Sequence, residues 1–114
     1  MLIRSGESRQ AEALAAFDAA LRFVSGSIEV RNNRVNTLLA LGRVDEAWRE
    51  IEAILPLAPQ MAELNDTKGM VLEALGRRAE AVASYREALR LKPELLDAQR
   101  HLAEVTRGIK ETAH

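Results

Sequence analysis

Residues 28 to 95 carry nearly the same message twice, and that repetition constrains the fold more than any other feature of the chain. Shifted by 34 residues, Leu38 falls on Leu72, Leu41-Gly42-Arg43 on Leu75-Gly76-Arg77, and Glu46-Ala47 on Glu80-Ala81. Leu55, Leu57 and Pro59 fall on Leu89, Leu91 and Pro93. The windows 28–61 and 62–95 share 11 identities in 34 positions, far more than composition alone supplies. Self-similarity at this period marks a structural unit that cannot bury its own apolar face and must stack on its neighbours.

The unit is helical. Ala13, Phe17, Ala20, Leu21 and Val24 recur at helical spacing, which predicts a helix over 8–24 closed by Ser25-Gly26-Ser27. A second helix is expected from Ile28 to Leu41, stopped by Gly42. A third starts near Val44, with Asp45 and Glu46 in the first turn, where the helix dipole favours acids. Pro56 should end it about a turn before its repeat partner ends, because Pro lacks the donor and clashes with the preceding turn. Pro59 is expected to open a fourth helix running to Leu75, a fifth covers 78–91, and Pro93 is expected to open a sixth over 94–110. In the sixth, Leu95, Ala98, Leu102, Val105 and Ile109 share one face. Composition agrees, since 47% of residues are hydrophobic but only 4% aromatic, and the apolar load is mostly Ala and Leu, which suit close-packed helices.

Lys68-Gly69, Leu72, Gly76, Ala81, Tyr85, Ala88-Leu89 and Pro93 together resemble the tetratricopeptide repeat, in which a helix A, a tight turn and a helix B form each unit. The resemblance implies an all-α, right-handed α-solenoid in one domain, 1–114. A partial unit at 1–27 contributes a leading B helix, repeats at 28–61 and 62–95 follow, and a capping helix at 96–111 closes the stack. Val35 stands where the second repeat has Gly69, and Ile51 where it has Tyr85, so a wider helix pair is expected in the first repeat.

The resemblance also implies that the A helices line a concave groove that takes an extended peptide or a partner's helix. The groove residues would be Asn32, Asn33 and Asn36, then Asp66, Thr67 and Met70, then Arg100, His101 and Glu104. Three Asn within a turn and a half stand out, because Asn is a poor helix former yet offers donor and acceptor to a peptide backbone. The plainer reading of these positions is a solvated polar helix face. Some family members clamp a C-terminal carboxylate with Lys, Asn and Arg. Here Asn36 matches, the first Lys is missing and Asp97 would repel a carboxylate, which argues against the clamp.

Other chemistries find less support. Asp97, His101 and Glu104 fall at i, i+4 and i+7, but one helix offering exposed ligands without an outer shell reads as polar surface, so no metal is expected. No nucleophile–base set or Gly-rich phosphate loop occurs, so neither a cofactor nor catalysis is expected. Sixteen Lys plus Arg balance seventeen Asp plus Glu, and few aromatics lie outside the core, which disfavours nucleic acid. No apolar run approaches the ~20 residues of a membrane span, Cys is absent, and Met1 to Glu7 lack a signal peptide's apolar core. The expectation is a cytoplasmic, non-catalytic protein-interaction module with a protein or peptide partner. The alternative is a regulatory or assembly segment of a larger bacterial protein, for instance ahead of a transferase domain. Without a preceding A helix, Leu14, Phe17 and Leu21 would form an open edge, predicting a two-fold homodimer through residues 1–24. Arg100, Glu104 and Arg107 would give the last helix a polar outer side.

Overall fold

The computed structural model describes residues 9–16 and 27–112, and all regular structure among them is helical. The chain divides into two compact units, Met1–Ile54 and Leu55–His114. The first contains helical residues 9–16 (α1), α2 at Ile28–Ala40 and α3 at Val44–Ile54. The second contains a single 3₁₀ turn at Leu55–Leu57, then α4 at Ala62–Ala74, α5 at Arg78–Leu91 and α6 at Leu96–Thr112.

In the first unit Ser27 caps α2, its hydroxyl accepting from the Val30 N–H at 3.4 Å. Gly42, at φ 77°, ends the helix in the left-handed conformation, and Arg43 N–H donates back to the Leu38 carbonyl at 2.9 Å. α3 then returns along α2, burying Val35, Leu38, Ala47, Ile51 and Ile54. Glu50 bridges the pair by accepting from Arg31 Nε at 2.8 Å. Pro56 acts as expected: α3 stops at Ile54, whereas its repeat counterpart α5 runs to Leu91.

The second unit repeats the turn. Gly76 takes φ 79° and Arg77 N–H donates to the Leu72 carbonyl at 2.8 Å. Each turn carries the same forked ion pair at its exit, Arg43 to Glu46 (2.8 and 2.7 Å) and Arg77 to Glu80 (3.0 and 2.6 Å). The first holds the Glu46 carboxyl below the usual carboxylate range. α4 packs along α5 more extensively than α2 along α3, and Gly69 makes this possible. A Cβ at Gly69 would fall 2.6 Å from Tyr85 Cδ1, so only a bare Cα leaves room for the ring.

The starts of α4 and α6 differ from the sequence expectation. Pro59 and Pro93 do not open helices, which begin three residues later at Ala62 and Leu96. Each Pro is instead the second residue of a turn, closed by Met61 N–H to the Ala58 carbonyl and by Leu95 N–H to the Lys92 carbonyl, both at 3.1 Å. A fixed φ suits that position. Side-chain amides 34 residues apart complete both turns, Asn65 Nδ2 donating to the Pro59 carbonyl at 3.2 Å and Gln99 Nε2 to the Pro93 carbonyl at 2.8 Å. α6 buries Ala98 and Val105 and leaves Leu96 74% exposed. The Ile109 side chain lies outside the described residues.

Candidate functional site

The most connected polar cluster lies in the second unit, where α4 and α6 contribute to one face and Tyr85 of α5 rises between them. His101 Nδ1 lies 2.9 Å from Asp66 Oδ1, tying α6 to α4. The His101 ring lies beside that of Tyr85, with centroids 5.4 Å apart and planes tilted by 34°. The Tyr85 hydroxyl donates to Glu73 Oε1 at 2.5 Å. The Asp66 carboxylate, through that hydrogen bond, raises the His101 imidazole above its ordinary pKa. Burial, then the Glu73 carboxylate, pushes the Tyr85 phenol upward, with Asp66 and Glu104 adding to it, so it stays a neutral donor.

The nine residues expected to line a groove divide by environment. In the first unit Asn33 is exposed and Asn36 half-buried, whereas Asn32 is buried. The Oδ1 atoms of Asn32 and Asn36 are buried without a hydrogen-bond partner, at a cost of about 1–3 kcal/mol each. In the second unit Met70 and His101 are half-buried, and Arg100 and Glu104 exposed. Asp66 and Thr67 are buried instead of facing solvent. The Asp66 carboxylate is engaged by His101, and the Thr67 hydroxyl donates back to the Glu63 carbonyl at 3.0 Å. The helix supplies that acceptor one turn back, which takes Thr67 out of the set available to a partner.

Asp97 and Glu104 do not converge on His101 as metal ligands would. Asp97 accepts from Arg100 at 3.3 Å, His101 is taken by Asp66, and no three His, Cys, Asp or Glu side chains among the described residues form a metal-holding group. Leu14 is buried at 7% exposure, so the chain itself covers that part of the expected edge. Phe17 and Leu21 lie outside the described residues. The outer side of α6 is not uniformly polar either, since an open groove with Leu89, Leu102 and Ala103 in its walls runs beside it. Arg100, Glu104 and Arg107 are exposed on α6 as expected, and Gln99, Thr106 and Arg107 line that groove beside the apolar residues.

Residues 62–95 match the family model of the tetratricopeptide repeat, and the fold of the described residues is that of solved tetratricopeptide domains. Residues 62–95 are a tetratricopeptide repeat. The matched repeat is the one carrying Gly69 and Tyr85, while the first repeat departs through Val35 and Ile51. The Sgt2 TPR domain from Aspergillus fumigatus superposes with a TM-score of 0.80 at 17% identity, over 93% of this chain and 72% of that one. The first TPR of Spaghetti (RPAP3), bound to the HSP90 peptide SRMEEVD, gives 0.77 at 17% identity, over 90% and 82%. MamA of Desulfovibrio magneticus RS-1 gives 0.75 at 18% identity, over 90% and 58%. No curated protein matches this chain in sequence. Among the described residues no helix is long and apolar enough to cross a membrane.

Proposed function

We propose that this tetratricopeptide protein is a non-catalytic interaction module that holds a basic, extended peptide or partner helix on its A-helix faces. The observation that carries the reading is the α4–α6 face. The Asp66–His101 bond fixes two helices side by side, and Glu73, Asp97 and Glu104 stand exposed around them. Arg100, an exposed cation there, is already paired with Asp97, and Lys92 with Glu63. A surface of this sign favours Lys or Arg side chains over an acidic C-terminus such as that of the peptide bound by the RPAP3 domain. The half-buried Met70 and the Tyr85–His101 pair add adaptable apolar contact beneath the charges. In the first unit, Asn33 and Asn36 offer hydrogen bonds to a peptide backbone.

A display library of random peptides panned against the chain tests the reading. Enriched peptides should be basic, and their binding should weaken as salt rises. Glu73→Gln with Glu104→Gln should cost about 1–2 kcal/mol of affinity, and Asn33→Ala or Asn36→Ala about 1 kcal/mol per lost hydrogen bond. Asn36→Ala should at the same time raise stability by about 1 kcal/mol, since it removes a poor helix former with an unpaired buried oxygen. Enrichment of acidic peptides, or unchanged affinity in all of these variants, defeats the reading.

A further inference from the structure

The groove beside α6 has a volume of about 510 Å³ and is lined by Leu89 of α5 and by Gln99, Leu102, Ala103, Thr106 and Arg107 of α6. Shifted back by 34 residues, the α6 positions become Asn65, Lys68, Gly69, Leu72 and Glu73 of α4. α5 is seated on that side of α4, with Tyr85 over Gly69, its hydroxyl on Glu73, and Ala81 and Ala88 fully buried about one turn to either side. Both helices are anchored in the same register, because Asn65 and Gln99 each hold the carbonyl of the proline six residues back. The groove is thus the α6 counterpart of a surface that carries a helix in α4, and it is open.

Two replacements change what this surface can accept. Ala103 carries a Cβ where Gly69 has none, and a Cβ at Gly69 would stand 2.6 Å from Tyr85 Cδ1, so a ring seated in the same way does not fit. Arg107 stands where Glu73 accepts the phenol, which puts donors in place of an acceptor. Arg107 is exposed and makes no ion pair among the described residues, and no carboxylate lines the groove. Both replacements favour a carboxylate, which is slimmer than a ring, only accepts hydrogen bonds and pairs with a guanidinium through two of them. A Glu is shorter than Tyr, but Arg107 is longer than Glu73 and closes the difference. We propose that this groove docks an acidic amphipathic helix of a partner protein, with Glu where α5 has Tyr85 and Ala where α5 has Ala81 and Ala88. A second copy of this chain is not that partner, since none of its Asp or Glu residues has Ala both four positions before and three after it. At roughly 100° per residue the groove positions lie across α6 from Asp97, His101 and Glu104, so this surface is independent of the peptide face and opposite to it in sign.

Fluorescence anisotropy of two labelled helical peptides, titrated with the full chain, tests this. The peptides share one Ala- and Leu-rich amphipathic sequence with the spacing above and differ only in having Glu or Tyr between the two Ala residues. The wild type should bind the Glu peptide about tenfold tighter than the Tyr peptide, the ratio expected from one charge-assisted pair. Arg107→Glu should remove that preference. Ala103→Gly combined with Arg107→Glu restores the pair found in α4 and should reverse it. Ala103→Glu should weaken the Glu peptide by about tenfold or more, through repulsion and lost space. Ala103 and Arg107 are exposed, so each variant should keep the wild-type helical circular dichroism. A wild type that binds neither peptide, a wild type that prefers Tyr, a Glu preference that survives Arg107→Glu, or self-association of the wild type that Ala103→Glu abolishes each overturns the proposal.

Discussion

Replacing Gly69 by Ala tests the crossing on which the second repeat is built. A Cβ at this position would lie 2.6 Å from Tyr85 Cδ1 and 2.9 Å from Cζ, well inside van der Waals contact. The ring has little room to withdraw: it is fully buried, its hydroxyl is held by Glu73 at 2.5 Å and it lies against His101. Forcing a methyl into such a contact costs about 1–3 kcal/mol. Ala is the better helix former by about 1 kcal/mol, which offsets part of that. The single variant should therefore be destabilised by up to about 2 kcal/mol. In a Tyr85→Leu background the obstacle is gone and only the propensity gain remains, so the same Gly69→Ala change should stabilise by about 1 kcal/mol. The coupling between the two sites is then about 1–3 kcal/mol. Urea denaturation of the four proteins in the cycle, with unchanged m values, measures it directly. A coupling below about 0.5 kcal/mol would show that the ring is not what excludes a side chain at Gly69.

The Asp66–His101 bond predicts a pH dependence. Because the folded imidazole pKa lies above its unfolded value, the bond's contribution is complete below the unfolded value near 6.5 and is lost as pH rises through the folded pKa. The urea midpoint should fall as pH climbs from about 6 through the raised pKa, and Asp66→Asn should flatten that slope; a slope unchanged in Asp66→Asn would sever the link. In the first repeat, Val35→Gly should be costly, about 2–3 kcal/mol, because it empties a fully buried position and adds a helix glycine. Thermal unfolding checks it, and a loss under about 1 kcal/mol would mean that the crossing closes over the gap.

Most of the helical frame was legible because its signals are local. Gly42 and Gly76 stop helices through their own left-handed φ, and Pro56 shortens α3 through its missing donor. Pro59 and Pro93 misled for a physical reason: Pro suits the first helical residue and the second turn residue equally, since both need the same φ. Asn65 and Gln99 decide between these by holding the Pro carbonyls six residues back, and their shared offset of 34 was the one available signal. The candidate site was less legible because its partners are distant in sequence. Asp66 and His101 are both polar residues on A helices, which reads as exposed surface until the structure brings them within 2.9 Å. Thr67 was misplaced because a hydroxyl on a helix can satisfy itself one turn back, and no periodicity distinguishes that from a free donor.

The 34-residue register also explains why two repeats with the same turn chemistry differ inside. At the helix crossing the second repeat combines the smallest residue, Gly69, with a large ring, Tyr85, while the first sets Val35 and Ile51 at the same positions. All four are buried, so each pair seals its crossing with the bulk divided differently between the A and B helices. Cores tolerate substitution when volume is conserved across the pair and resist it when only one partner changes. Gly69 and Tyr85 are therefore one structural choice, as are Val35 and Ile51. The Tyr85 choice does more than fill space, because its hydroxyl reaches Glu73 and its ring backs His101, which Ile51 has no means to do in the first repeat. The polar face of the second unit is thus tied to its core through Tyr85, whose hydroxyl holds Glu73 and whose ring lies against His101.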